Sequence, residues 1–312
     1  MPVISVVIPL YNKENFIRNT INSVLKQTFT DFELIVINDS STDQSLSIVN
    51  SIKDKRINTY TIKNSGASNT RNYGVKKSKS NLIAFLDADD IWQNNHLEQI
   101  YKLSIENPGC GMYAMAYSVK KQNGKDYKNC YFGLKKFSGI LENFFQSSSV
   151  DCIASSSSVM IPDYVFKKIN GFNENLKKRE DTEFWIRIAL NYKIAFSTNK
   201  TVKIITNEDG NHLSKSDEKP WDFFNLFKKQ EKNNLDLKKF LDLNRFSEAI
   251  NFKLNKDYNS YRIITNSINF RNLNLKQKIL IMMPFRILLV LKKIQKYLLK
   301  RNIYITSFKS IN

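Results

Sequence analysis

A chain of 312 residues, 42% hydrophobic and 12% aromatic, can build one large α/β domain, alone or with an appendage. Its net charge of +19 is uneven: from Leu226 to Asn312 nineteen Lys and Arg stand against five Asp and Glu, while the residues before them are nearly balanced. The basic end implies an anionic partner; three cysteines without CxxC spacing fit a reducing compartment and argue against a disulfide framework or a zinc site, and no apolar run of about 18 residues predicts a membrane-spanning helix.

The N-terminus enters a strand directly, with no charged segment and apolar run ahead of it, so no signal peptide is expected. Val3-Ile4-Ser5-Val6-Val7-Ile8 is the continuous β-branched run of a strand covered on both faces. Ile17, Ile21, Val24, Leu25 and Thr28 then share one helical face. Glu33 to Ile37 is a second strand, and Ser40-Ser41-Thr42 offers N-caps for a helix carrying Leu46, Val49 and Ile52. Ile57 to Ile62 alternates as a third strand, Ala67 to Lys77 follows as a weaker helix, and Asn81 to Leu86 is a fourth strand. This βαβαβαβ order predicts an α/β fold with a doubly wound, mainly parallel sheet. From about Gly109 the strands scatter (Met112 to Val119, Ser155 to Ile161, Val202 to Ile205) around one good helix that starts near Asp181 and buries Phe184, Trp185, Ile188 and Ala189. Beyond Pro220 the pattern is helical and rich in Lys, Asn and Leu.

In such sheets ligands sit beyond the carboxyl ends of the strands. Pro9-Leu10-Tyr11, Asn38-Asp39 and Asp87-Ala88-Asp89 all fall there, on one rim. No GxGxxG or GxxxxGK[ST] accounts for that rim. Asp87, Asp89 and Asp90 repel one another unless a cation or hydrogen-bond donors compensate. If extended geometry continues, Asp87 and Asp89 point the same way and can reach one hard divalent ion. The alternative is a solvated turn in which Asp90 caps the helix containing His96, Leu97 and Ile100.

These motifs resemble the GT-A glycosyltransferases of family 2: Ser5-Val6-Val7-Ile8-Pro9-Leu10-Tyr11-Asn12, Asp39-Ser40-Ser41-Thr42-Asp43, Asn64-Ser65-Gly66 with Thr70-Arg71-Asn72-Tyr73-Gly74, and Leu86-Asp87-Ala88-Asp89-Asp90. Gly171-Phe172, Glu180-Asp181 and Trp185-Ile186-Arg187 resemble that family's acceptor-side segment. The resemblance covers roughly residues 3 to 215. It implies a GT-A catalytic domain over 1–215, with a nucleotide half over about 1–108 and an acceptor half over about 109–215, followed by a helical, basic C-terminal region over 216–312. It further implies an inverting, metal-dependent transferase that moves one sugar from a nucleotide-sugar, a UDP-hexose or UDP-N-acetylhexosamine. The acceptor would be a glycan or an undecaprenyl-diphosphate-linked saccharide in O-antigen, capsule or lipopolysaccharide assembly. A protein or teichoic-acid-type acceptor is the alternative.

Residue by residue, the resemblance places Asp89 and Asp87 at a DxD site for Mn²⁺ or Mg²⁺, and Pro9, Tyr11, Asp39 and Arg71 with Asp87 around the nucleotide. Tyr11 can stack on a base or be a turn aromatic; Arg71 can sit near the base and acid cluster or form a surface ion pair. The family often has a second acid where Asn38 stands, which loosens the choice of nucleotide. Asp181, with Glu180 beside it, resembles the catalytic base, although both also suit the first turn of a helix. His212 stands near the family's metal or phosphate histidine, but Asp209 competes for that position and a loop histidine is an equal reading.

The C-terminal stretch Lys276 to Arg301 alternates apolar runs with lysines, as an interfacial helix on an anionic inner leaflet would, or as a segment packed on the catalytic domain or on a second subunit. The first reading makes the protein cytoplasmic and peripheral on the inner face of the cell membrane. A nucleic-acid-binding role would also use +19, but the charge lies in a leucine-rich tail without RNA motifs, so no nucleic-acid partner is expected. The absence of QxxRW and of spanning helices argues against a processive synthase.

Overall fold

A computed structural model describes residues 1–121, 126–127, 131, 133–206, 220–300 and 307. The chain divides into two compact units, the first comprising Met1–Asn129, Leu134–Phe144 and Ile153–Glu218, the second Cys130–Gly133, Phe145–Cys152 and Lys219–Asn312.

The first unit opens with β1 (Ile4–Leu10), α1 (Ile17–Leu25), β2 (Phe32–Asn38), α2 (Ser45–Ser51), β3 (Ile57–Thr61), α3 (Ala67–Lys77) and β4 (Leu82–Phe85). The four strands pair in parallel in the order β3-β2-β1-β4, so the order reverses at β1 and opens a crevice beyond the carboxyl ends of β1 and β4. β1 and β2 are buried almost throughout, as their mainly apolar sequences require, with the buried Ser5 hydroxyl donating to Glu33 across the pair at 2.6 Å. Next come β5 (Ile91–Trp92), α4 (His96–Glu106), β6 (Met112–Lys121), β7 (Asp126–Tyr127), β8 (Ser138–Ile140), α5 (Phe144–Ser147, which past Phe144 belongs to the second unit), β9 (Val159–Pro162), α6 (Asp163–Lys168), α7 (Glu180–Asn191) and β10 (Ile194–Thr206). The sheet continues β4-β9-β6-β10-β5, with β9 antiparallel to both neighbours and β6 parallel to β10. The parallel, doubly wound character therefore belongs chiefly to the first four strands.

Two capping expectations are corrected. The helix after β2 starts at Ser45, not within Ser40 to Thr42; Ser40 adopts φ 56°, while the Ser41 hydroxyl accepts from the Asn12 amide. Asp90 caps no helix: α4 begins at His96, and Asp90 is only 3% exposed.

The second unit is helical: α8 (Pro220–Leu226), α9 (Gln230–Asn233), α10 (Leu235–Leu254), α11 (Tyr258–Asn266), α12 (Leu275–Met282) and α13 (Phe285–Lys300). Side-chain caps at Asn234, Asp257 and Asn274 accept from the first-turn amides of α10, α11 and α12. Among the described residues no helix is long and apolar enough to cross a membrane.

Candidate active site

The strand β4 ends at Phe85, and the acids that follow do not continue its extended path. The Asp90 amide donates to the Asp87 carbonyl at 3.0 Å, closing a turn, so Asp87 and Asp89 leave it toward different partners. Asp87 Oδ1 accepts from Arg71 Nη2 at 2.7 Å, and Asp89 Oδ2 accepts from Lys13 Nζ at 2.6 Å. The extended geometry expected for Asp87 to Asp89 is corrected to a turn, in which each carboxylate accepts from its own internal cation. Mutual repulsion among the acids is met by donors, as their crowding demands.

Asp90 is the anchor of this loop. Its Oδ2 accepts from the Ser157 hydroxyl and its Oδ1 from the Ile205 amide at 3.0 Å. Ser157 also accepts from the Asp87 amide at 3.0 Å, and its carbonyl takes the Trp92 indole N–H at 2.7 Å. Burial first, then the charges of Asp87 and Asp89, push the Asp90 carboxyl well above the ordinary carboxylate range.

Arg71 lies on α3, whose approach to the sheet is set by Gly74. A Cβ there would stand 2.4 Å from Val7 Cγ1, so only glycine lets α3 sit this close to β1. The Arg71 guanidinium is buried over the Phe172 ring, 5.3 Å from its centroid, with Nη1 donating to Glu180 Oε1 at 3.1 Å. Phe172 belongs to a cluster with Phe85, Phe166, Phe184 and Trp185 that walls this side from water. Burial alone would lower the affinity of Arg71 for its proton, but Asp87 and Glu180 outweigh it and hold the guanidinium charged. Burial raises the Glu180 carboxyl, and Arg71 opposes that rise. One arginine thus joins the acidic tip after β4 to the first turn of α7. Asp181 makes local contacts, accepting from the Thr182 amide at 2.5 Å and from its hydroxyl at 3.1 Å.

The remaining rim residues are placed as follows. Tyr11 is 40% exposed just past β1, free to meet a planar ligand, and Pro9 is half-buried within that strand. Asp39 is buried, with Oδ1 accepting from the Ser65 amide at 2.8 Å and Oδ2 from the Gly66 amide at 3.0 Å, at the entry to α3. Its charge therefore lies at a helix N-terminus; the Ser65 hydroxyl also donates to Oδ1 at 3.4 Å, while Oδ2 keeps a second lone pair. His212 and Asp209 fall outside the described residues.

Sequence reasoning missed Asn72, Lys13, Ser157 and the Glu183–Arg187 pair. Asn72 Nδ2 donates to the Phe172 carbonyl at 2.9 Å while its Oδ1 accepts the Phe172 amide at 2.9 Å, and Gly171 (φ 58°) lets the chain pass close to Asn72. Arg187 ties Glu183 to the carbonyls of Ile169 and Gly171. The signal for Asn72 was its place beside Arg71 in a quoted motif; Lys13 and Ser157 carried none.

Asp87 and Asp89 offer hard oxygen donors of the kind Mg²⁺ and Mn²⁺ prefer, and Lys13 already shows that a cation belongs against Asp89. Among the described residues no group of three or more His, Cys, Asp or Glu forms a ready-made metal cage. The chemistry of the pair thus suits an ion that shares its coordination with substrate phosphates.

Residues 5–166 match the sequence profile described as "Glycosyl transferase family 2". A glycosyltransferase of Rickettsia bellii (strain RML369-C) is 38% identical over 187 residues, 60% of this chain but 26% of that protein, so the chain spans about a quarter of its length. The putative teichuronic acid biosynthesis glycosyltransferase TuaG of Bacillus subtilis (strain 168) is 28% identical over 70% of this chain and 86% of TuaG. Among solved structures, S. aureus TarS 1-349 in complex with UDP-GlcNAc superposes with TM-score 0.71 at 22% identity, over 97% of this chain and 93% of that one. The expected GT-A architecture with a helical C-terminal region is the one present, and the chain belongs to glycosyl transferase family 2.

Proposed function

We propose that this chain is an inverting glycosyltransferase that moves one sugar from a UDP-sugar to a saccharide acceptor. The observation that carries the reading is the Arg71 bridge, which draws the acidic tip (Asp87) and the first turn of α7 (Glu180, beside Asp181) onto one guanidinium at the sheet's crevice. Tyr11, exposed on the same rim, and Asp39 would hold the uridine. The UDP-GlcNAc bound by the TarS neighbour supports a UDP-sugar donor.

In this reading the acceptor hydroxyl attacks the anomeric carbon in line as the bond to the diphosphate oxygen breaks. A carboxylate takes the hydroxyl proton. Glu180 is committed to Arg71, which leaves Asp181 as the base and makes Glu180 a positioning residue. Mn²⁺ or Mg²⁺ held by Asp89 with Asp87 would offset the charge of the departing diphosphate. Arg71 keeps a fixed positive charge beside Asp87 without reorganisation.

The acceptor we propose is a glycan or lipid-linked saccharide of envelope polysaccharide assembly, an undecaprenyl-diphosphate carrier included, handled in the cytoplasm. The teichuronic acid role in the name of TuaG, and the poly(ribitol-phosphate) β-N-acetylglucosaminyltransferase name of TarS, 26% identical over 239 residues, favour a teichoic-type anionic glycan as the second reading. The test is UDP release from a panel of UDP-sugars with each acceptor class. Asp89→Ala should abolish Mn²⁺-dependent UDP binding. Asp181→Asn should keep UDP binding and lose transfer, and unchanged turnover in that variant overturns the base assignment.

A further inference from the structure

From Tyr258 to Asn312 the sequence has eleven Lys and Arg and no Asp or Glu. Within this stretch the second unit leaves apolar side chains outside. On α13, Ile287, Val290, Leu291, Ile294 and Tyr297 are between 38% and 54% exposed, and at 100° per residue they form one stripe. Leu288 turns the other way and is 4% exposed. On α12, Leu275, Ile279 and Met282 share an outward face at 73%, 51% and 73% exposure, while Ile281 and Gln277 face inward. That inner side is fastened: the Ile281 carbonyl accepts from Lys253 Nζ at 2.7 Å and from the Tyr261 hydroxyl at 2.6 Å. The outward stripes are therefore not slack packing; each helix is docked by its other face.

Basic side chains border both stripes. Arg286 and Lys293 follow one edge on α13, and Lys276 and Lys278 flank the stripe on α12. An apolar stripe edged by cations, with no acid in fifty-five residues, matches an anionic lipid surface: apolar groups enter the acyl boundary and cations meet headgroups. A second copy of this face would bring like charge against like charge. No helix here crosses a bilayer, so attachment would be in the plane of the interface.

We infer that α12 and α13 form a docking face for an anionic membrane, with the outward stripes inserted and Arg286, Lys293 and Lys276 against the headgroups. The inference concerns the second unit alone and stands apart from the sugar chemistry proposed above.

The full chain should co-float with phosphatidylcholine vesicles containing phosphatidylglycerol, at least about tenfold better than with phosphatidylcholine alone, given roughly fivefold per cation engaged. Ile287→Glu with Ile294→Glu should cut vesicle partitioning about tenfold or more, with helical content and thermal melting unchanged, because both side chains are half-exposed. Arg286→Glu with Lys293→Glu should abolish the preference for anionic vesicles and its salt sensitivity. Absence of vesicle binding by the wild type overturns the inference, as does binding that the Ile287/Ile294 pair leaves intact. A wild-type dimer in light scattering that the same pair makes monomeric overturns it in favour of a second copy.

Discussion

Arg71 in the first unit and Arg245 in the second are built alike. Each bridges two carboxylates, Asp87 and Glu180 for Arg71, Glu231 and Asp242 for Arg245. Each lies over an aromatic ring, Phe172 at 5.3 Å and Phe224 at 4.8 Å, and each leaves Nε buried without a partner. They differ in what their acids face. Asp242 is fully buried and also accepts from Lys238, the Asn269 amide and Asn272, so nothing remains for a ligand. Asp87 is 34% exposed on the rim. The Arg245 knot is closed, whereas the Arg71 knot opens on one side and keeps a carboxylate presented on the rim.

The comparison breaks most sharply at the arginines. Either Arg→Met change strands two acids and should cost about 3–5 kcal/mol in urea unfolding. Arg71→Met should also lower UDP-sugar turnover about 10²–10³-fold. Arg245→Met should leave turnover per folded molecule unchanged; an equal loss would show that the two knots are not distinct. The acids give a second cut. Asp242→Asn should destabilise by about 1–3 kcal/mol without touching turnover, whereas Asp87→Asn should cost under about 1 kcal/mol, its pair being partly solvated, and still impair transfer.

A smaller effect separates the units by pH. Among the described residues the one histidine is His96, in the first unit, and burial lowers its pKa to about 3. Its Nδ1 faces Thr201 Oγ1 at 2.7 Å and its Nε2 has no partner. The native state thus holds His96 neutral while the unfolded chain protonates near pH 6.5. Stability is full above pH 6.5 and falls as the pH drops from there toward 3, by up to a few kcal/mol. His96→Gln should flatten that fall in thermal melts; an unchanged slope would place the acid sensitivity elsewhere. The smallest effect is at Lys13. Lys13→Met should cost at most about 1 kcal/mol of stability and, by freeing Asp89 Oδ2, strengthen Mn²⁺ binding measured by electron paramagnetic resonance. Weaker Mn²⁺ binding would mean that Lys13 assists the ion rather than standing in its place.

The alternation through the first hundred residues was legible because buried parallel strands need unbroken apolar runs and amphipathic helices need a 3.6-residue period. α3 matches its predicted bounds, Ala67 to Lys77. Where the sheet turned mixed, β6 and parts of β9 and β10 were still legible as strands, but β5 has two residues and β8 three, too short for any period, and β9 runs antiparallel by a pairing that no local pattern encodes. The rim residues were readable as a motif set, but their partners were not. Lys13 reaches Asp89 across 76 residues and Ser157 reaches Asp90 across 67, so neither pair leaves a local trace. Asp90 looked like a cap because acids before a helix usually are; a remote hydroxyl and amide took it inside instead.

Neighbouring residues on α3 hold three segments in place, Arg71 the acidic tip and Glu180, Asn72 the Gly171–Phe172 turn, while Gly74 presses the helix onto β1. The helix works as a caliper whose gap is machined during folding. In the function proposed above, this fixes the span from leaving group to proton acceptor and leaves acceptor choice to the surrounding loops, so engineering a new acceptor should leave α3 untouched.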